Sequence, residues 1–210
     1  MTRSQQRALD ELWPRFGIDS GDAMDPPALF QRSAPLHLEI GFGMGHALLE
    51  LALANPGSDY LGIEVHRPGV GRLLDEIDKK GVKNIRLLKH DAIEAISEQI
   101  PKGSLDSVML FFPDPWHKKR HHKRRIVKPE FVRKIHNILK PGGVFHLATD
   151  WEEYSEWMME IISNEPGLVN VAGAGNFSIR PESRPVTKFE KRGIRLGHGV
   201  WDLLFEKIEE

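Results

Sequence analysis

Asp114 stands between Pro113 and Pro115, directly after the apolar run that ends in Phe111 and Phe112 and directly before Trp116 and the block HKKRHHKRR (117–125). Each proline fixes its own φ and restricts the residue before it, so this carboxylate is held in place rather than left mobile. An aromatic ring offers a stacking surface for a base, and dense cationic charge is what a phosphate backbone requires. A fixed acid in that company marks a candidate site beside a nucleic acid. A charge run alone more often marks a solvated face, with its tryptophan packed in the core, so the block needs a second site beside it to count. His117, His121 and His122 resemble metal ligands in type, but the neighbouring cations repel a metal ion and none is expected.

That second site lies earlier in the chain. Glu39, Gly41, Gly43 and Gly45 form the pattern E-x-G-x-G-x-G at the end of the apolar run LHLEI. Glycines let a backbone turn sharply and let a ligand approach it without meeting Cβ atoms, although the same pattern also serves tight strand-to-helix packing. Glu64 ends the next apolar run, 23 residues after Gly41, near the spacing at which an acid accepts hydrogen bonds from ribose hydroxyls. Asp91 ends the third run, where it could meet an adenine edge; taken alone, a helix N-cap is the stronger reading.

These features describe a nucleoside cofactor and leave two candidates. A nicotinamide dinucleotide needs G-x-G-x-x-G, and here the third glycine comes one position early. Glu39 is also unfavourable beside a pyrophosphate, yet suits a cofactor that carries an ammonium and a sulfonium. S-adenosylmethionine therefore leads. A nicotinamide-dependent reductase leaves the basic block unexplained, and a non-catalytic RNA-binding module leaves Glu39, the glycines and Glu64 unexplained.

Apolar β-type runs that alternate with helical patterns would place these residues. LHLEIGFG, DYLGIEV, NIRLLKHD, SLDSVMLFF and GVFHLATD read as strands, each followed by an amphipathic stretch. Five such units with near-continuous apolar strands predict an α/β fold with a doubly wound, mostly parallel sheet. Ligands of such sheets sit at the carboxyl ends of the strands, where the residues above fall. Past Glu165 the alternation stops, and WDLLFEKI predicts a last strand added antiparallel at the edge. Asp150, after the fifth strand, is suited equally to a site and to a helix N-cap.

Composition bounds the remaining options. The 210 residues, 40% hydrophobic, fit a single domain. With no cysteine in the chain, disulfides, thiolate metal sites and thiol nucleophiles are excluded, and a reducing cytoplasm is the expected location. MTRSQQRALDELWPRF is charged throughout, and no run reaches the roughly 18 apolar residues of a membrane span. Six cations at Lys118, Lys119, Arg120, Lys123, Arg124 and Arg125 leave the rest of the chain at −7 against a net charge of −1. Positive charge is thus concentrated in one place.

The motifs EIGFGMG, GIEVHRPG, HDA, FFPDPWHKKRHHKRRIV, HLATDW and RPVTKFEKRG, over residues 36 to 195, closely resemble the bacterial tRNA (guanine-N7-)-methyltransferase family. The resemblance implies methyl transfer from S-adenosylmethionine to N7 of a guanosine in the tRNA variable loop. It implies a Rossmann-like sheet of seven strands with an antiparallel C-terminal edge strand, a helical and loop segment over residues 1–33, and one methyltransferase domain over residues 34–210. By the same resemblance Glu39, Gly41, Gly43, Gly45, Glu64, Asp91 and Asp114 contact the cofactor, and Asp114 is also catalytic. Lys118, Asp150, Thr187, Lys188, Phe189 and Glu190 contact the substrate, and Arg120, His121, His122, Lys123, Arg124 and Arg125 meet RNA. Trp116 or Phe189 would face the target base; for Phe189, anchoring its own loop is the competing role. No obligatory protein partner is expected, and the assembly is a monomer or homodimer. The chain begins almost at QQRALDELWPRFGI, so RNA contacts from a longer basic N-terminal arm are not expected.

Overall fold

The computed structural model describes residues 1–21, 23–186, 190, 197 and 199–209. Helix α1 (Arg3–Phe16) leads into the two-residue strand β1 (Gly17–Ile18), and a short helix α2 (Pro26–Phe30) follows. Five strand-then-helix units come next, as the alternation predicts. They are β2 (Leu36–Ile40) with α3 (His46–Ala54), β3 (Asp59–Ile63) with α4 (Arg67–Lys79), β4 (Ile85–Leu88) with α5 (Ala92–Glu98), β5 (Leu105–Phe111) with α6 (Pro129–Ile138), and β6 (Leu139–Thr149) with α7 (Glu152–Ser163). Strands β7 (Leu168–Asn170) and β8 (Trp201–Lys207) complete the sheet.

Among the described residues, eight strands lie in the order β1-β4-β3-β2-β5-β6-β8-β7. The direction in which strands are added reverses between β2 and β5: β3 and β4 build outward on one side of β2, and β5 and β6 on the other. A crevice opens at such a switch, at the carboxyl ends of the strands. The pairs from β1 to β6 are parallel, and β8 runs antiparallel to both β6 and β7. Two details differ from the expectation. The short β1 adds an eighth strand beside β4, and β7 takes the outer edge, which leaves β8 one position inside.

Sequence periodicity accounts for the layers. In α4, Val70, Leu73, Leu74 and Ile77 recur at i, i+3, i+4 and i+7 and are fully buried. Burial of each such side chain contributes roughly 1.5–3 kcal/mol. Helices α1, α3 and α4 cover one face, and α5, α6 and α7 the other, each with its own apolar cluster against the strands. Pro68 in the first turn of α4 and the left-handed Gly81 (φ +63°) just past its end mark the limits of that helix. Among the described residues, no helix is long and apolar enough to cross a membrane.

Candidate active site

The glycine loop leaves β2 directly after Glu39 and Ile40. Gly41 (φ +70°) and Gly43 (φ +57°) have left-handed backbones, and a Cβ built on either would meet nothing within 4 Å. Open space therefore adjoins both residues. Gly45 is different, because a Cβ there would lie 2.7 Å from the Leu73 side chain. It is a packing glycine that brings α3 against α4, the structural use of the motif that the sequence had left open. The loop is fixed from α4 as well: a Cβ on Gly69 would stand 2.0 Å from the Gly43 carbonyl oxygen.

Two carboxylates flank this loop with different environments. Glu64 accepts the Gly43 N–H on Oε2 and the His66 N–H on Oε1, both at 2.8 Å. It ties the end of β3 to the glycine loop, and each oxygen keeps a second lone pair for another donor. Glu39 is 4% exposed, and its Oε2 has no hydrogen-bond partner among the described residues. Burial, reinforced by the nearby charge of Glu64, pushes its carboxyl up to about 8. A buried acid with an unmet oxygen at an open glycine loop fits a cationic ligand group and disfavours a pyrophosphate. The third acid, Asp91, is the N-cap of α5, where its Oδ1 accepts from Ile93 N at 2.8 Å and Glu94 N at 3.3 Å.

Asp114 follows β5, across the switch from the glycine loop. Phe112 (φ +52°) and Trp116 (φ +49°) bracket Pro113-Asp114-Pro115 with left-handed backbone. For residues with a Cβ that conformation costs on the order of 1–3 kcal/mol each and persists only where the surroundings impose it. The surroundings are visible here. The Phe112 N–H is bonded to the Ala148 carbonyl at 2.7 Å, and the Pro115 carbonyl accepts Arg125 Nε–H at 2.9 Å. Asp114 is exposed and presented by this rigid loop. It also lies close enough to Tyr154 that its charge, added to the larger effect of burial, helps push that hydroxyl up to about 12.

The basic block divides in two. Lys119–Arg124 form a single 3-10 helix, in which Lys119, Arg120, Lys123 and Arg124 are exposed, as is Lys118 just before it. The guanidinium of Arg124 lies 4.9 Å over the Trp116 ring, and His121 meets the same ring edge-on at 6.0 Å. That face of Trp116 is covered by its own loop, not bare for stacking. Arg125 corrects the expectation outright. It is 1% exposed and pairs with both oxygens of Glu153 on α7, at 3.0 and 2.6 Å. Its guanidinium also lies over Tyr154 and Trp157, and His122 Nε2 is 3.1 Å away. As placed, Arg125 holds the Asp114 loop to α7 and offers nothing to a phosphate.

Beyond β6, Asp150 is half-buried and does not cap α7, whose N-cap is Trp151. It lines a cleft of about 390 Å³ with Trp151, Glu152, Glu153, Gly197, Gly199 and Trp201. Glu190 also departs from the expectation of a substrate contact. It is 4% exposed, and its carboxylate oxygens accept from Arg184 at 2.7 and 3.0 Å. Arg184, also buried, reaches Asp202 at 3.0 Å, and Asp202 lies 2.8 Å from His146. This ionic cluster sits under Phe111 and Phe112 and ties Arg184 and Glu190 to β6 and β8. Thr187, Lys188 and Phe189 lie outside the described residues. A second cleft, of about 420 Å³ between Arg32, Asp59 and Asn84, is at the amino ends of the strands and is lined by none of the candidate site residues.

Glu153, Arg184 and Trp201 are the residues that motif spacing missed, and Arg125 is one to which it gave another role. Arg125 is followed by Ile126 and the buried Val127, which is a faint sign that the charge run has ended and the core begins.

Comparison with known proteins fits this arrangement. The family profile described as "Putative methyltransferase" matches residues 33–203. The tRNA (guanine-N(7)-)-methyltransferase of Saccharophagus degradans is 56% identical over 208 residues, which cover 99% of this chain and 91% of that protein. The protein of the same name from Pseudomonas putida strain F1 is 57% identical over 210 residues, 100% of this chain and 88% of that one. Among solved structures, a mutant 16S rRNA (adenine(1408)-N(1))-methyltransferase of Catenulisporales acidiphilia with cosubstrate SAM superposes with a TM-score of 0.61 at 18% identity. It covers 89% of this chain and 92% of that one, a likeness of fold.

Proposed function

The chain belongs to the tRNA (guanine-N(7)-)-methyltransferase family, and from that membership we propose that it methylates N7 of a guanosine in the variable loop of tRNA, with S-adenosylmethionine as cofactor. The observation that carries the proposal is identity above half over essentially the whole chain. Geometry supports the cofactor: the open space at Gly41 and Gly43 and the unmet buried oxygen of Glu39 suit a nucleoside with a cationic amino-acid tail.

S-adenosylmethionine, when bound, supplies an electrophilic methyl group on a sulfonium. Glu39 would take the ammonium, Gly41 and Gly43 would let the tail lie against backbone, and Glu64 would accept from the ribose while it holds Gly43. Asp91 keeps its cap and borders the adenine end. Guanine N7 has an in-plane lone pair and no proton, so the transfer needs positioning and charge stabilisation rather than a strong base. Asp114, held by its two prolines and by Arg125, provides a fixed negative charge for the purine as it becomes cationic. Lys118, Arg120, Lys123 and Arg124, with His121, form the RNA-facing rim, which supplies phosphate contacts. Arg125, His122 and Glu190 are assigned to support of the loops instead.

We further infer one catalytic domain over residues 34–210, with residues 1–33 as an accessory segment whose helix α1 packs on α4 and whose strand β1 pairs with β4. The cysteine-free composition favours the cytoplasm as its place of action, as a monomer or homodimer without an obligatory partner. Incubation of the protein with S-adenosylmethionine and unmodified tRNA, followed by mass spectrometry of the nucleosides, tests the activity. The expected product is 7-methylguanosine; a different methylated nucleoside, or none, would overturn the proposal.

A further inference from the structure

Helix α4 carries two buried glycines in its first turns, Gly69 and Gly71, and they meet different neighbours. Two positions apart, they face opposite sides of the helix. Gly69 abuts the glycine loop at the Gly43 carbonyl. Gly71 abuts α1 instead, because a Cβ there would lie 2.4 Å from the backbone carbonyl oxygen of Gln5. The start of α4 is thus held, backbone against backbone, between α1 and the loop after β2. The turn of α1 that presses on it is itself fixed: the Thr2 N–H donates to Gln5 Oε1 at 2.7 Å, and the Gln5 N–H donates to Thr2 Oγ1 at 3.2 Å.

The other end of α1 reaches the turn that carries Asp91. Trp13 Nε1–H donates to Asp19 Oδ1 at 2.7 Å, and Lys89 Nζ lies 4.9 Å over the same indole. Lys89 directly follows β4 and stands two residues before Asp91. Strand β1, between Trp13 and Asp19, pairs with the end of β4, Ile18 opposite Leu88. The Asp19 carbonyl also accepts from the buried Gln99 Nε2 at 2.8 Å, just past α5, the helix that Asp91 caps. One helix therefore touches both walls between which Glu64 lies.

We propose that α1 is a positioning element of the cofactor site, a strut that sets the glycine loop through Gly71 and Gly69 and the Asp91 turn through Trp13 and Lys89. The inference rests on the cofactor reading given above and adds to it two positioning residues, Gly71 and Trp13. Each acts through a neighbour, on the spacing of the walls. A site whose walls are already placed binds without the cost of ordering them, so loss of the strut lowers affinity for the nucleoside. Asp114 is presented from β5, across the switch, and its brace is on α7. The strut thus governs cofactor affinity and leaves the transfer step alone.

Calorimetry of S-adenosylmethionine binding, with kinetics on tRNA, tests the strut in Gly71→Ala, Trp13→Leu and Trp13→Phe. Ile135→Val, in the apolar cluster on the other face of the sheet, controls for destabilisation alone. Gly71→Ala and Trp13→Leu should each weaken cofactor binding about tenfold, within the range for coupling carried by packed contacts, with kcat at saturating cofactor and KM for tRNA unchanged. Trp13→Phe keeps a ring under Lys89 and should stay within about threefold of wild type. Ile135→Val should bind the cofactor as wild type does. Gly69→Ala combined with Gly71→Ala should lose less than the product of the two single losses, because both act on Gly43. Should Gly71→Ala fail to fold, the contrast between Trp13→Leu and Trp13→Phe decides. Wild-type affinity in a folded Gly71→Ala protein, Trp13→Leu no weaker than Trp13→Phe, or an equal loss in Ile135→Val would overturn the strut alone. A wild type that binds no S-adenosylmethionine would overturn the cofactor reading, and the strut with it.

Discussion

Arg125 donates its Nε–H to the carbonyl of Pro115 at 2.9 Å while both of its terminal nitrogens hold Glu153, so the last cation of a nine-residue basic block is the brace of the Asp114 loop. Removal of the guanidinium frees a strained loop and leaves the Pro115 carbonyl and Glu153 without their donor. Arg125→Ala should cost about 1–3 kcal/mol of stability, the scale of charge-assisted hydrogen bonds discounted for a half-exposed partner. It should also lower kcat at least tenfold with little change in S-adenosylmethionine affinity. Thermal unfolding and single-turnover kinetics check both; wild-type kcat in a folded Arg125→Ala protein would contradict the brace.

The exposed cations should behave in the opposite way. Arg120→Ala, Lys123→Ala and Arg124→Ala should leave stability nearly unchanged, and each should reduce the slope of log binding constant against log salt by up to about one. Arg125→Ala should leave that slope intact. Filter-binding titrations of tRNA over a range of salt concentrations read the difference directly. A slope that falls with Arg125→Ala as much as with Arg120→Ala would mean that Arg125 does meet a phosphate.

Glu39 makes the apo protein sensitive to pH in a defined direction. Its carboxyl is raised to about 8 by burial and by Glu64, while in the unfolded chain it titrates near its ordinary value of 4.5. Below pH 4.5 both states are protonated and Glu39 imposes no penalty. As pH rises from 4.5 to 8 the unfolded state ionises first, so stability is lost through that window. Glu39→Gln should remove this slope and stabilise the ligand-free protein above pH 8 by up to roughly 5 kcal/mol. Cofactor binding should strengthen with pH up to about 8 and release a proton, visible in calorimetry as a dependence of the heat on the buffer. Heats that do not depend on the buffer would place the ammonium elsewhere.

Much of this arrangement is legible in the sequence because it depends on local spacing. Five apolar runs with helical intervals specify the elements β2 to β6, and Glu39, Gly41, Gly43 and Glu64 fall at the strand ends because they stand where the apolar runs stop. What the spacing could not reveal depends on contacts between distant segments. Arg125 and Arg124 are adjacent and chemically identical, yet one points into the core under Trp157 and the other lies over Trp116; only the placement of α7 separates them. Trp201 escaped because a search of strand carboxyl ends overlooks the amino end of an antiparallel strand. Gly45 looked like a ligand glycine and packs on Leu73, since the sequence alone does not show which side of the turn is open.

Gly69 should prove as sensitive as the loop glycines. A methyl group there meets the Gly43 carbonyl oxygen at 2.0 Å, a distance that forces backbone to move. Gly69→Ala should weaken S-adenosylmethionine binding at least tenfold and cost about 1–3 kcal/mol of stability, the range for overpacking. Calorimetry beside thermal unfolding separates the two effects; unchanged cofactor affinity would show that the loop position does not depend on this contact.

Asp114 is assigned to charge stabilisation, and Asp114→Asn keeps its shape while it removes the charge. A loss of roughly 100- to 1,000-fold in kcat is expected, the scale of one preorganised electrostatic group, with a pH–rate profile of the same shape as wild type. A basic limb present in wild type and lost in Asp114→Asn would instead make Asp114 a general base.

Methyl transfer is proposed to go to one atom of one base, and a substrate in which that atom is replaced tests it. Two tRNA transcripts, one unmodified and one with 7-deazaguanosine at the variable-loop target, are incubated with the protein and S-adenosylmethionine and mapped by mass spectrometry. The expected result is 7-methylguanosine at the variable-loop position of the first and no methyl transfer to that position in the second. Methylation of the deaza transcript at the target, or of the unmodified transcript only at other sites, would contradict it.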